Sequence, residues 1–340
     1  MNNKIYFGAD LGMGAFKGWG PKGGAQVLSL VSSNGAQRLD ESFGSSSKRA
    51  RPVEVISEYG SYFVGDNAHD YGVPIQNMAF DRLAGTSEIR SIFYAGLHQY
   101  QKQHGVFDRP LSLMVGLPFQ MLMGSMSKEY KSAVKKWMVG VHEFDADGVH
   151  YKVEVADAVL KPQAMGILFD YTYDANGILD PNKASLWVEE TAGLSFGRKT
   201  IEFMLTREND DVDRFTGGVD MGVTRLLEGI NRQYEIKLGM DRPYTLGELD
   251  MKLRNRKIDK EVMKRAMEDW IQQISGAIDE RWGQYYRRFS AVIVVGGGAE
   301  LLRLHIHTLL RGNVIVPDNA VEAISRGMYK MALKYASKRS

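Results

Sequence analysis

Ile5-Tyr6-Phe7-Gly8-Ala9-Asp10-Leu11-Gly12-Met13-Gly14-Ala15-Phe16-Lys17-Gly18-Trp19 is an apolar strand that delivers one carboxylate to a glycine turn, after which a second strand starts with a lysine near its head. Glycines 12 and 14 let backbone N–H groups face an anion with no Cβ in the way, and Lys17 adds a point charge. Such a turn can hold phosphate oxygen. Asp10 only accepts hydrogen bonds, so its part in such a turn is to orient water around a hydrated Mg²⁺. Taken alone, the stretch also reads as an ordinary β-hairpin with a surface aspartate. The rest of the chain decides between the two.

The chain has 340 residues, enough for two domains with sizeable cores. Its 43 Lys+Arg balance 41 Asp+Glu, which argues against a general binder of nucleic acid or acidic lipid. There is no cysteine, so disulfides, thiolate catalysis and cysteine-ligated metals are excluded. Only Lys4 is charged ahead of the first strand, no apolar segment of signal-peptide length precedes it, and no run approaches a membrane span. The expected location is the cytoplasm.

After the opening hairpin and the turn Gly20-Pro21-Lys22-Gly23-Gly24, residues 25–31 read as a third strand. Residues 34–52 are polar, with serines at 45–47 and basic Lys48, Arg49 and Arg51, either a solvated loop or a contact for a DNA-bound adaptor. Short strands follow at 53–57 and 62–64. From 87 to 104, Ile89, Ile92, Phe93, Leu97 and Tyr100 make a helical stripe with Glu88 in the first turn. Leu111-Ser112-Leu113-Met114-Val115-Gly116-Leu117-Pro118 is a buried central strand stopped by Gly and Pro. A helix is expected at 125–138 and a hairpin at 144–155 through Asp147-Gly148. Pro162 then opens a helix with Gln163 in its first turn, facing what the strand ends face or bonded to local backbone. Together these give a mixed sheet covered by helices.

The pattern then begins again. A strand at 185–190, a glycine- and serine-rich turn at 191–197 and a strand at 199–205 lead to Thr216-Gly217-Gly218, read as a second anion-accepting helix start. Residues 239–258 are turn-rich and basic, and 259–286 form a long amphipathic helix whose Trp270 and Trp282 favour core packing over a filament contact. Ala291-Val292-Ile293-Val294-Val295 is the most buried-looking strand and ends in Gly296-Gly297-Gly298-Ala299-Glu300. A short strand at 314–318 and a last helix at 319–335 follow. His305 and His307 are two apart and make a poor metal pair on a helix.

In this order the motifs resemble those of the actin-like ATPases, in the superfamily of actin, sugar kinases and heat-shock chaperones, and especially the ParM-type filament proteins. The residues that carry the likeness are Asp10 to Lys17, Leu160 to Gly166, Thr216 to Gly218, Val294 to Glu300, and Asn319 to Gly327. The resemblance implies an α/β fold of two actin-like (ribonuclease H-like) domains, each a mixed five-stranded sheet flanked by helices, with a nucleotide cleft between them. Residues 1–165 plus 319–340 would form domain I, and 166–318 domain II. It implies ATP/ADP with Mg²⁺ as ligands. Gly12, Met13, Gly14 and Lys17 would take phosphate on one side, and Gly193 and Ser195 on the other. Gly217, Gly218, Gly297, Gly298 and Glu300 would surround ribose and adenine, Gln163 would position the attacking water, and Asp10, holding the metal through water, would act with Glu190. The implied function is a nucleotide-driven, self-assembling filament ATPase for plasmid segregation or a cytoskeleton, with a DNA-bound adaptor as partner, no membrane and no general nucleic-acid binding. Two alternatives keep the fold: a non-hydrolysing nucleotide-binding scaffold and a small-molecule kinase.

One signature departs from the family. Its second phosphate hairpin reads Asp-x-Gly with a threonine soon after, whereas this chain has Trp187-Val-Glu-Glu190-Thr191-Ala-Gly193-Leu-Ser195-Phe-Gly197-Arg-Lys-Thr200. Aligned on the strand end, Glu190 takes the aspartate's place; aligned on Ser195-Phe196, the position is Gly193 and the carboxylate is lost. A glutamate would set its carboxylate one methylene further out, which implies altered water and Mg²⁺ geometry and slow hydrolysis.

Overall fold

The computed structural model describes residues 4–33 and 50–337; the serine run, Lys48 and Arg49 lie outside the described residues, and Arg51 is exposed. β1 (Ile5–Leu11), β2 (Ala15–Gly20) and β3 (Gly23–Leu28) form an antiparallel meander that sets Asp10 directly opposite Lys17. The expected third strand is two: β3 stops at Leu28, and β4 (Val31–Ser33) turns away to pair with β6 (Gly60–Val64) and β7 (Val73–Ile75). β5 (Val53–Ser57) pairs with β6, and the stripe from 87 to 104 is helix α1 (Ser87–His104). β8 (Leu111–Leu117) is buried along its whole length and runs parallel to β1. Two helices, α2 (Phe119–Leu122) and α3 (Ser127–Met138), precede a hairpin of β9 (Gly140–Ala146) and β10 (Val149–Pro162), turned by Asp147 at φ 49 and Gly148 at φ 77. β10 is long enough to serve two neighbours: its first part pairs with β9, and beyond a register shift at Val155/Asp157 it runs parallel to β8. The first sheet therefore has the mixed five-strand core β3-β2-β1-β8-β10 and continues through β9-β5-β6-β4-β7.

α4 (Gln163–Thr172) leads into the second half. Here the structure corrects the sequence reading. Of the residues expected as a strand at 185–190, the first three end a 3₁₀ helix, Pro181–Trp187, started by the Asp180 carboxylate accepting from the Asn182 N–H with Pro181 in the first turn, and none is strand. The stretch expected as a turn is instead strand β11 (Thr191–Phe196), fully buried. Gly193 is not a turn former: a Cβ there would stand 3.1 Å from Ile167 Cδ1 on α4, so it marks close helix approach. The turn falls later, at residues 197–200, before β12 (Ile201–Arg207). β13 (Asp210–Asp211) follows, and Gly217 and Gly218 lie in β14 (Gly217–Val219) rather than at a helix start; α5 (Val223–Leu238) begins after Gly222. The remaining elements are α6 (Leu246–Arg254), α7 (Lys260–Arg281), β15 (Ala291–Val295), α8 (Gly297–Leu301), α9 (Ile306–Leu309), β16 (Val314–Ile315) and α10 (Ala323–Ser337). The second sheet runs β13-β12-β11-β15-β16, with β14 also paired to β12.

The two sheets repeat one plan: a hairpin whose first strand lies parallel to a later, fully buried strand. Each has its own core, and a third cluster joins them, in which α4 and α10 pack Ile167, Leu168, Ile324 and Met328 against Met114 of β8 and Ile293 of β15. Trp270 and Trp282 are both buried in the second core. α4 and α10 cross at bare backbone, since a Cβ on Gly327 would stand 1.8 Å from the Gly166 carbonyl oxygen. Beside that crossing, Arg326 makes a bidentate pair with buried Asp170 at 2.6 and 2.7 Å, and Lys330 joins at 3.1 Å.

Candidate functional site: a cleft between two glycine hairpins

β1 and β10 both run parallel to β8 between them, which brings three strand ends to one edge, and α4 starts there. Asp10, only 2% exposed, is held from both sides: Lys17 Nζ donates to Oδ2 at 3.0 Å and Gln163 Nε2 donates to Oδ1 at 2.7 Å. Gln163 thus bonds the cleft carboxylate through its side-chain amide. Pro162 caps its helix, and Gly116 in β8 leaves room, since a Cβ there would lie 3.1 Å from Gln163 Cγ. Gly12, Met13 and Gly14 line the cleft beside this group.

The second hairpin faces the first. A Cβ on Gly14 would stand 2.8 Å from Arg198 Cβ, so the two turns touch. The registers are equivalent: Asp10 lies opposite Lys17, and Ser195 lies opposite Glu202. Ser195, which lines the cleft, therefore occupies the position that matches Asp10. Neither alignment, on Glu190 or on Gly193, is realised, although the position holds no carboxylate. Glu190 lies just before the far end of β11, gripped by Arg288 at 2.8 and 2.9 Å and by Arg207 at 3.2 Å, and it does not line the cleft. Gly193 is mid-strand against α4.

Sequence reasoning missed Glu202. It is 2% exposed, Oε1 accepts from the Phe119 N–H at 3.2 Å, and Oε2 has no partner. Burial pushes its carboxyl up to about 8, with the Asp10 charge adding in the same direction and the Phe119 hydrogen bond opposing. At neutral pH Glu202 therefore keeps its proton in the folded protein. The signal was available in the hairpin register: the residue seven beyond Asp10 is Lys17, and the residue seven beyond Ser195 is Glu202.

Also missed were the cations of the second turn. Arg198 lines the cleft and is fixed to Asp250 at 2.5 Å; Lys199 reaches across to the Met78 carbonyl at 2.7 Å, with its ammonium over the Phe80 ring. Gly297, Gly298 and Glu300 form a third wall of the cleft, behind Gly296 at φ 98. Gly297 has nothing within 4 Å of where a Cβ would be, so that wall presents open backbone. Gly217 instead faces the Arg281 guanidinium and Gly218 the Gln120 amide; neither lines the cleft. His305 does line it, whereas His307 is exposed. On the side of α7, apolar Leu253, Ile258, Met263 and Met267 are rimmed by Arg254, Arg256, Lys260 and Lys264. The whole cleft encloses about 930 Å³, the size of a nucleotide-scale site.

These donors fit a nucleotide: open glycine backbone and cations for phosphate, and an apolar patch for a base. Among the described residues no group of three or more His, Asp or Glu could hold a metal by itself. A single hard carboxylate, Asp10, fits a Mg²⁺ ion that keeps most of its waters and shares substrate phosphates. No helix among the described residues is long and apolar enough to cross a membrane.

Residues 8–166 match the family model described as the N-terminal domain of actin-like proteins, and residues 195–308 match that of the archaeal actin homologue MreB-like, C-terminal. No curated protein sequence matches. Among solved structures, the chain is similar to a 15-stranded ParM filament from Clostridium botulinum, at 17% identity over 97% of this chain and 99% of that one, with TM-score 0.75. The apo ParM protein of pSK41 gives 14% identity over 99% of each chain and TM-score 0.71. The archaeal actin homologue Ta0583 in complex with ADP gives 15% identity over 99% of this chain and 100% of that one, with TM-score 0.69. Both halves thus match models of actin-like proteins in order, and the chain shares the two-sheet fold of the ParM and archaeal actin-homologue structures.

Proposed function

We propose that this chain binds ATP with Mg²⁺ in the cleft, assembles with copies of itself into a filament, and hydrolyses the nucleotide. The observation that carries the reading is Asp10, buried between Lys17 and Gln163 where the two glycine hairpins meet. Phosphoryl transfer to water relies on positioning and charge rather than covalent chemistry, and the side chains suit that work. The N–H groups around Gly12 and Gly14, with Lys17, would neutralise phosphate oxygens; the Gln163 amide would orient the attacking water; Asp10 would hold the metal's water shell. The bound Mg²⁺ supplies charge neutralisation on the phosphates. Ser195 offers a hydroxyl where the family offers a second carboxylate, and a protonated Glu202 adds no charge beside Asp10. Both features favour slow turnover.

The proposed domains are 1–165 plus 319–340 and 166–318; the packing of α10 on β1 and β8 supports the first grouping. Two neighbours are a ParM protein and a ParM filament, and another carries ADP, which supports self-association and nucleotide binding here. A plasmid-segregation role, a DNA-bound adaptor and a cytoplasmic location belong to the same proposal. Sedimentation and negative-stain microscopy with ATP, with ADP and without nucleotide, alongside phosphate release, test it. Polymer that depends on nucleotide, with hydrolysis lost in Asp10→Ala, is expected. Absence of polymer in every condition, or unchanged hydrolysis in Asp10→Ala, would overturn it. The loss of the second carboxylate favours one rival, a non-hydrolysing scaffold, whose mark is tight ATP binding without phosphate release. Nothing in the described cleft favours a small-molecule kinase.

A further inference from the structure

A second cavity, of about 50 Å³, lies behind the first glycine turn, walled by Met13 and Gly14 and lined by residues of both halves of the chain. Arg82 and His69 line it from the first half, Arg198 and Asp250 from the second. Arg82 is 3% exposed; its Nη1 donates to the Asn77 carbonyl at 2.7 Å, while Nε and Nη2 are buried with no partner. Its nearest acidic influence, Glu88, accepts instead from Asn77 Nδ2 at 2.9 Å and makes no ion pair with Arg82. His69 adds a buried, unpartnered Nε2. Asp250 is already neutralised, with Arg198 at 2.5 Å on one oxygen and Arg254 at 2.9 Å on the other. The lining is therefore net positive.

A buried guanidinium with unbonded nitrogens is costly, and burial pulls its pKa down to about 10. Water alone would satisfy the N–H groups and leave the charge uncompensated. A water needs roughly 10–15 Å³ of such space, so the cavity has room for about four waters or one ion of that bulk. We propose that this cavity is an anion site that takes one small tetrahedral oxyanion, inorganic phosphate or sulfate, between Arg82 and His69 of one half and Arg198 of the other. The ion would tie the two halves together behind the phosphate hairpin. The site shares a wall with the cleft, formed by Met13, Gly14, Arg198 and Asp250, and does not depend on ATP hydrolysis there.

Two measurements on the whole, nucleotide-free chain test it. The first titrates phosphate against gluconate at matched ionic strength and follows the thermal midpoint. A saturable rise is expected with phosphate, retained in Lys17→Ala, whose change lies in the cleft, and with apparent affinity at least about tenfold weaker in Arg82→Gln. An equal rise in Arg82→Gln, or its loss in Lys17→Ala, overturns the proposal. The second soaks wild-type crystals in selenate and looks for anomalous density. A peak between Arg82 and Arg198 supports the site, and waters alone in the cavity refute it, whether or not Arg82→Gln folds.

Discussion

Replacing Glu202 by glutamine is expected to stabilise the nucleotide-free protein at neutral pH by an amount that grows as pH rises. Glu202 is buried with one oxygen unpartnered, and its carboxyl titrates near 8 instead of the 4.5 of an unfolded chain. Between those values the folded state holds a proton that the unfolded state has released. The stability it contributes is thus complete below about 4.5, falls by about 1.4 kcal/mol per pH unit above it, and levels off beyond about 8. At pH 7 the loss amounts to about 3 kcal/mol. Glutamine keeps an oxygen for the Phe119 N–H and has no proton to exchange, so the variant lacks this slope. Burial also lowers the pKa values of His69, His98 and His142, which drives stability the opposite way, up with pH. Those residues are common to both proteins and cancel in the difference. Urea unfolding of wild type and Glu202→Gln from pH 5 to pH 8 should show an advantage for the variant below about 1 kcal/mol at pH 5 and about 3 kcal/mol at pH 7. A difference that stays flat across this range would mean that Glu202 is ionised in the folded protein, and the picture of a carboxyl kept protonated by burial would fail.

Gln163→Ala removes the amide beside Asp10 and should lower phosphate release about 100-fold while nucleotide affinity stays within a few-fold; unchanged single-turnover hydrolysis would remove Gln163 from the mechanism. Gly327→Ala drives a Cβ into the Gly166 carbonyl and should cost about 3 kcal/mol or prevent folding, as measured by urea midpoint. The same change at Gly276, exposed on α7 with nothing within 4 Å of the added carbon, should instead stabilise by about 0.5–1 kcal/mol. Asp170→Asn leaves Arg326 and Lys330 without their shared carboxylate and should cost about 3 kcal/mol in the same assay.

What the sequence made legible was local. The stretch from Asp10 to Lys17 carries its own register: a carboxylate and a lysine face each other across a glycine turn, so strand, turn and charge pair follow from neighbouring residues. α1 is legible for the same reason, its stripe and its limits at Ser87 and His104 lying within one segment. The second hairpin fails because Gly193 and Ser195 have two possible physical causes. Small residues form turns, and small residues also let a helix lie on a strand; only the position of Ile167, far away in the chain, tells which operates. Misplacing that strand sent the search for a carboxylate to Glu190, at the wrong end of β11, and hid Glu202 inside a run that reads as plain strand. The contacts of the turn were equally out of reach, since Arg198 meets Asp250 and Lys199 meets Met78 from elements distant in sequence. Once the strand is in place, the repeat itself supplies the missing residue. The first hairpin sets acid opposite base and the second sets hydroxyl opposite acid; Asp10, Lys17 and Ser195 line the cleft, while Glu202 is buried close enough to Asp10 to feel its charge. The departure from the family therefore lies in which strand of the second hairpin carries the carboxylate, and in the burial that keeps it protonated.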